Sequence, residues 1–233
     1  GVGGKVGKEI GARVMKVLKD NHEVAAIIGG RYIHSVSAIV GGVSKPITEE
    51  DREEIIERAQ RSIETAKFSL QLFDDVVLGN DAYADLILSD SFSHQTYYMG
   101  LVDENNKVNF YDGKVRVVDP EGQELLKYGP DEYLDVVAEH IEPWTYLKFP
   151  YLKDVGWKGL VDGPDSGVYR ATPLSRLNAS DGMATPLAQA EYERFYETLG
   201  GKPVHATLAT HWARLVELLY AAERSLELAE DPE

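Results

Sequence analysis

Between Tyr97 and Val118 the chain gives up the helical spacing of apolar residues found before and after that stretch. Three short runs stand there: Tyr98-Met99-Gly100-Leu101-Val102, Lys107-Val108-Asn109-Phe110-Tyr111 and Lys114-Val115-Arg116-Val117-Val118. Glu104-Asn105-Asn106 and Asp112-Gly113 separate them. A period of two belongs to strands, and Asp-Gly supplies the positive φ angles of a two-residue hairpin. The expected fold class is therefore α+β and mainly helical: long helices around a small antiparallel β-meander.

The flanks carry the helices. Val2, Val6, Ile10, Val14 and Val17 recur three and four residues apart, with Lys5, Lys8, Arg13 and Lys16 between them; Asp20-Asn21-His22 weakens the pattern before a short apolar piece, Val24 to Ile28. Residues 30–46 show no period and hold Gly30, Gly41, Gly42 and Pro46, the composition of an irregular loop with extended pieces. Thr48 ahead of Glu49, Glu50 and Asp51 reads as a capped helix start. That helix should present Ile55, Ile56, Ala59, Ile63, Ala66, Leu70 and Phe73 on one face and stop near Gly79-Asn80, with a shorter helix from Ala82 to Leu88.

Beyond the meander, Asp131 to His140 reads as a short helix capped by Asp131. Residues 141–182 are rich in aromatic residues, Gly and Pro and keep no helical period; a loop that long is functional or packed against something. Thr185-Pro186 opens a helix that ends at Gly200-Gly201, and Pro203 opens the last one, with Val204, Leu208, Leu215, Leu218, Leu219, Ala222 and Leu226 as its buried stripe and Glu223, Arg224 and Glu227 on its outer face. Organisation is thus helical over 1–90, meander and long irregular segment over 91–182, and helical again over 183–233, all within one piece, 1–233.

Composition removes whole function classes. There are 39 Asp and Glu against 24 Lys and Arg, a formal net charge of −15, which is a poor match for a phosphate backbone, so no nucleic-acid partner is expected. No apolar run reaches 18 residues, so no membrane span is expected. The cysteine count is zero, which takes disulfides, thiolate-bound metals and thiol catalysis away from this chain. The first residue is Gly and the last ones break off after a helical pattern, as expected of a piece of a longer protein.

Catalytic motifs are missing as well. Gly7-Lys8 is followed by Glu9, not Ser or Thr, and no strand precedes it, so it is no phosphate loop. His205 and His211 are six residues apart; at about 100° per residue they face different ways and cannot share an ion. Asp103-Glu104-Asn105-Asn106-Lys107 lacks the third oxygen ligand and the glycine of a calcium loop. No Gly-x-Ser-x-Gly occurs. On the residues alone there is no catalytic, cofactor-binding or metal-binding constellation, and His34 in the irregular loop is the most suggestive single histidine.

Three segments go further. Gly29-Gly30-Arg31-Tyr32-Ile33-His34, continued by Gly41-Gly42-Val43-Ser44-Lys45-Pro46, resembles the Gly-Gly-Arg-x-x-His … Gly-Gly-Val-x-x-Pro element of nickel–iron hydrogenase large subunits. Tyr146 to Tyr151 and Gly167 to Asn178, which includes Thr172-Pro173-Leu174-Ser175-Arg176-Leu177-Asn178, resemble the segment that holds Gly-Pro-Leu-Ala-Arg-x-Asn in that family. His205 to Glu217 resembles its late helix. The wording is closest to the cytoplasmic, multi-subunit branch that includes viologen-reducing and NAD-linked enzymes.

The resemblance implies the central region of a large (alpha) subunit, placed after the family's first Cys-x-x-Cys pair and before its Pro-Arg-Gly segment and second cysteine pair. The parent would be a cytoplasmic oxidoreductase that oxidises H2 or reduces protons at a nickel–iron centre with cyanide and carbon monoxide ligands. Electrons would leave through an iron–sulfur small subunit, then through further electron-transfer subunits. This chain alone, lacking thiolates, would be inactive scaffold. Arg31 and His34 would support the metal cleft without binding metal, and Arg170, Arg176 and Asn178 would order the long loop. The alternative is a cysteine-free relative that binds quinone and couples a respiratory complex. His211, Arg214 and Glu217, three apart on the last helix, read either as a surface ion pair or as a buried Arg214 clamped by Glu217 or by carbonyls of the long loop.

Overall fold

The helix expected to weaken at Asp20 runs unbroken as α1, Gly7–Gly29. In this computed structural model, which describes residues 7–231 apart from the side chain of Asp90, the polar residues at that point face a neighbour rather than ending the helix. Arg61 donates Nε to Asp20 Oδ2 at 2.9 Å, Arg58 reaches Glu23 Oε2 at 2.5 Å, and Ser62 Oγ lies 3.1 Å from Asn21 Oδ1. The parts of the opening pattern carried by Val2, Lys5, Val6 and the glycines at 1, 3 and 4 lie outside the described residues, as do Pro232 and Glu233.

The three partners belong to α2, Glu49–Phe73, which a π-helical turn, Asp74–Leu78, prolongs to Gly79. Its start is as expected: Thr48 Oγ1 accepts from the Asp51 amide, and Asp51 Oδ2 accepts from the Thr48 amide, both at 3.1 Å. Ile55, Ala59, Ile63, Ala66, Leu70 and Phe73 are buried in one stripe, whereas Val14, Met15 and Leu18 of α1 are exposed. Between α1 and α2, a hairpin of β1, Ala38–Ile39, and β2, Gly42–Val43, forms the extended pieces. Gly1–Gln71 and Ala221–Glu233 make one compact unit, closed by Arg52 donating to the carbonyls of Ala229 and Glu230 at 2.8 and 3.2 Å.

The second unit, Leu72–Tyr220, holds the larger sheet. After α3, Asp81–Leu88, come β3, Tyr97–Val102; β4, Lys107–Val108; β5, Lys114–Val118; and β6, Glu124–Tyr128. β3, β5 and β6 pair antiparallel. The connection differs from the expected one: β4 and β5 are not a hairpin across Asp112-Gly113, but flank β3 on opposite edges. Gly113 serves a close approach instead. At φ 111° its backbone passes so near Val102 that a Cβ would lie 2.1 Å from the carbonyl oxygen. β9, Tyr169–Arg170, and β10, Gly182–Met183, add parallel pairs to β3 and β4.

Alternation on the sheet does what a period of two requires. Tyr97, Met99, Val117 and Tyr128 turn to one face with Leu152, while Tyr98 and Val118 turn to the other with Ala179. The helix expected at Asp131 to His140 is a single turn, α4, Tyr133–Val136. The ladder of β7, Val137–Ile141, with β8, Lys148–Leu152, takes over its residues. The long segment is not wholly irregular either: α5, Pro173–Ala179, sits in it. Its helical period was masked because six of its seven residues are buried, so no polar face alternates with an apolar one.

α6, Pro186–Thr198, is as expected. α7, Thr210–Glu230, starts later than Pro203, because the backbone of Val204 is bound to Asn178 instead of a helix. Its buried stripe is Trp212, Ala213, Val216, Leu219, Tyr220 and Ala222; Leu218 is exposed, and Glu223, expected outside, is buried.

Candidate functional site

α5 is positioned by chemistry in its first turn. Thr172 Oγ1 accepts from the Ser175 amide at 3.3 Å, Ser175 Oγ accepts from the Thr172 amide at 3.0 Å, and Pro173 occupies the first helical position. The helix lies on β3 at Gly100, where a Cβ would come within 2.9 Å of the Arg176 Cα. These contacts hold Arg170, Arg176 and Asn178 on one short stretch, and each reaches a different partner.

Arg176 and Glu217 form a two-pronged pair, Nε to Oε1 at 2.5 Å and the second guanidinium nitrogen to Oε2 at 2.8 Å. Asn178 is fully buried. It donates Nδ2 to the Val204 carbonyl at 2.8 Å and accepts on Oδ1 from the Val204 amide at 3.1 Å and the Tyr196 hydroxyl at 2.9 Å. Arg170 donates to Thr96 Oγ1 at 3.1 Å, to Thr207 Oγ1 at 3.3 Å and to the carbonyls of His94 and His205. It also lies over the Tyr98 ring, 5.3 Å from its centre. The long segment is thereby pinned to β3, to α7 and to the strand-like stretch before α7.

The expected clamp on Arg214 is not formed. Arg214 and His211 are exposed, and Glu217 is turned to Arg176. Three residues along a helix bring 214 and 217 onto neighbouring positions, but the carboxylate is only 8% exposed and points at α5, away from water. Arg31 and His34 are exposed in the turn after α1, with His34 at φ 54°.

Several groups beside α5 carried no sequence signal. The Tyr98 hydroxyl is 2.5 Å from His205 Nδ1. Burial, and then the Arg170 charge, lower the pKa of His205, so the ring is neutral and can accept from Tyr98. Burial pushes the Tyr192 phenol up to about 12 and the Tyr196 phenol well above its usual range. Arg116, buried at the sheet, holds Glu124 and Asp181, each at 2.8 Å. Burial works to raise the Asp181 pKa, but the bonds from Arg116 and Asn106 outweigh it and the net shift is downward. Lys202 donates to Tyr192 Oη at 3.1 Å and to the Ser180 carbonyl, and burial brings its pKa down to about 8. None of these residues stands in a spaced motif, which is why only their packing reveals them.

No metal set emerges from this chain. Among the described residues no group of three or more His, Asp or Glu could hold an ion, and thiolates are excluded by composition. A nickel–iron centre therefore does not fit the donors present here, which order backbone and each other.

No family model matches the sequence. Relatives do. Over 229 residues the chain is 43% identical to the iron-sulfur subunit of the F420-non-reducing hydrogenase of Archaeoglobus profundus, covering 98% of this chain and 47% of that protein. Over 228 residues it is 34% identical to the beta subunit of the NAD-reducing hydrogenase HoxS of Cupriavidus necator, covering 95% and 44%. A solved NAD+-reducing nickel–iron hydrogenase in the H2-reduced state superposes with a TM-score of 0.84 at 30% identity, over 96% of this chain and 48% of that one. The chain belongs to the nickel–iron hydrogenase large-subunit family. It spans about half the length of the curated relatives it matches. The fold extends to a nickel–iron–selenium hydrogenase of Dm. baculatum at a TM-score of 0.57 and 18% identity, a likeness of fold alone. This mainly helical hydrogenase chain carries small sheets, and no helix among its described residues is long and apolar enough to cross a membrane.

Proposed function

We propose that this chain is the scaffold region of a hydrogenase large subunit whose whole form oxidises H2 to two protons and two electrons, or runs the reverse, at a nickel–iron centre. The observation that carries this reading is identity of 43% sustained over 98% of the chain to one hydrogenase subunit. Every ligand to that centre, with its cyanide and carbon monoxide, would come from outside this stretch. The role of the residues here is to hold shape: Arg170, Arg176 and Asn178 order the long segment, with Glu217 as anchor.

Arg31 and His34 would face the remainder of the subunit near the metal cleft. In support, residues 24–48 contain no Asp or Glu in a chain that has 39, and Tyr32, Ile33, Val36, Ile39, Val40 and Val43 are all exposed there. A patch that apolar is an interaction surface, and its only full charges are cationic. Partners would be an iron–sulfur small subunit, together with further electron-transfer subunits, in the cytoplasm. The quinone-binding alternative finds no support, since the relatives described are hydrogenases.

The test is expression of the full reading frame with its neighbouring subunit genes, followed by hydrogen-dependent viologen reduction and nickel analysis. Activity with bound nickel is expected from the complex, and neither from the 233-residue chain. A purified, metal-loaded complex that neither takes up nor evolves hydrogen would overturn the reading.

A further inference from the structure

The groove between β3 and α7 is more than a by-product of the Arg176–Glu217 pair. It encloses about 550 Å³ and is lined by Leu101, Phe110, Leu218, Arg176, Glu217 and Arg214. Phe110 and Leu218 are 49% and 43% exposed on its walls. Arg176 is satisfied by Glu217 and lies 5.9 Å from the centre of the Phe110 ring. Arg214 is different: it is exposed, and among the described residues no carboxylate pairs with it. The groove thus carries a net charge of +1 (Arg176 and Arg214 against Glu217) inside a unit of a chain whose net charge is −15.

We propose that this groove seats a peptide segment from the part of its own subunit that lies outside the matched half, a segment with an Asp or Glu flanked by apolar side chains. The carboxylate pairs with Arg214, whose fork of N–H donors suits a two-pronged bond. The neighbouring apolar side chains cover Phe110 and Leu218 and remove them from water. Charge complementarity selects the acid: in so acidic a chain an unpaired guanidinium between two apolar walls favours an anionic occupant and disfavours a basic one. The source follows from length, because the relatives are about twice as long as this chain and so supply as much polypeptide again to cover it. This inference rests on the reading of the parent as a full-length hydrogenase subunit.

Arginine footprinting with phenylglyoxal, read by mass spectrometry, tests it. Arg214 should react readily in the 233-residue chain and be protected in the full-length subunit purified without other subunits. In a full-length R214K variant, a zero-length carbodiimide should then join position 214 to an Asp or Glu beyond these 233 residues. R214E should lower the melting temperature of the full-length subunit while leaving that of the short chain within a degree or two, as for an exposed, unpaired side chain. Equal reactivity of Arg214 in both forms overturns the proposal. So does a cross-link to a carboxylate within the 233 residues, no cross-link at all, or one that forms only after another subunit is added. Hydrogen-dependent viologen reduction is assayed separately on the complex: inactivity with Arg214 still protected would fault the hydrogenase reading and leave the groove's occupant standing.

Discussion

Arg176 and Glu217, 41 residues apart, meet through two parallel hydrogen bonds of 2.5 and 2.8 Å and tie α5 to α7. The carboxylate is nearly buried and the guanidinium about a third exposed. Removing one partner of such a pair leaves the other's charge stranded, which is more damaging than the net worth of the pair. We expect Glu217→Ala to cost about 2–4 kcal/mol, reduced from the fully buried range because water reaches Arg176. Arg214→Ala, by contrast, should stay within about 0.5 kcal/mol. Urea unfolding of the two variants checks both; equal losses would mean that Glu217 serves Arg214 after all.

Asn178 should be harder still to replace. Its amide satisfies both backbone groups of Val204 and the Tyr196 hydroxyl, all inside the protein. Asn178→Leu fills the space but orphans those three groups, at roughly 1–3 kcal/mol for each that finds no substitute. A loss of at least about 3 kcal/mol is expected, with faster amide exchange at Val204. Unchanged exchange there would show that the stretch before α7 is held by something else.

Lys202 makes stability depend on pH on the alkaline side. Burial first, and then Arg116, against the opposing pull of Asp181, bring its folded pKa to about 8. The unfolded amine titrates near ~10.4. Between those values the unfolded chain binds more protons than the folded one, so stability rises as pH goes from about 8 towards 10. The penalty for holding the charged amine is fully present below about 8. Its size is on the order of 2 kcal/mol once the solvent access of the side chain is allowed for. Lys202→Met should flatten that rise in a series of denaturation midpoints. Parallel profiles for parent and variant would assign the titration elsewhere.

Two glycines should resist substitution for different reasons. Gly113→Ala would set a Cβ 2.1 Å from the Val102 carbonyl at a φ of 111°, so β5 must leave β3 or the turn must refold. Gly100→Ala meets the backbone of α5 at 2.9 Å and should push that helix off the sheet. Circular dichroism and yield of folded protein check both. Wild-type melting of Gly100→Ala would mean that α5 has room to move.

Apolar surface is open in both units: Val40 is fully exposed, and Trp144 and Tyr146 are 72% and 95% exposed on the turn after β7. The isolated chain should bind a hydrophobic dye and self-associate as its concentration rises. A monodisperse monomer in light scattering with no dye fluorescence would contradict this.

The sequence by itself determined where periods change. The stripe from Ile55 to Phe73, the cap at Thr48, the switch to strands at Tyr97 and the Pro186 helix start all depend on residues a few positions apart, and local spacing reports them. It also determined that no thiolate chemistry could reside here, because composition needs no fold to be read. Tertiary structure alone decided the rest. Asp20 looks like a helix breaker until Arg61 is brought to it; α5 has no visible period because it is buried on nearly all sides; β4 and β5 look like a hairpin until β3 takes both. Glu217 could be assigned to Arg214 by spacing, but which arginine it meets depends on the approach of α5 to α7, a contact across 41 residues that no local pattern encodes.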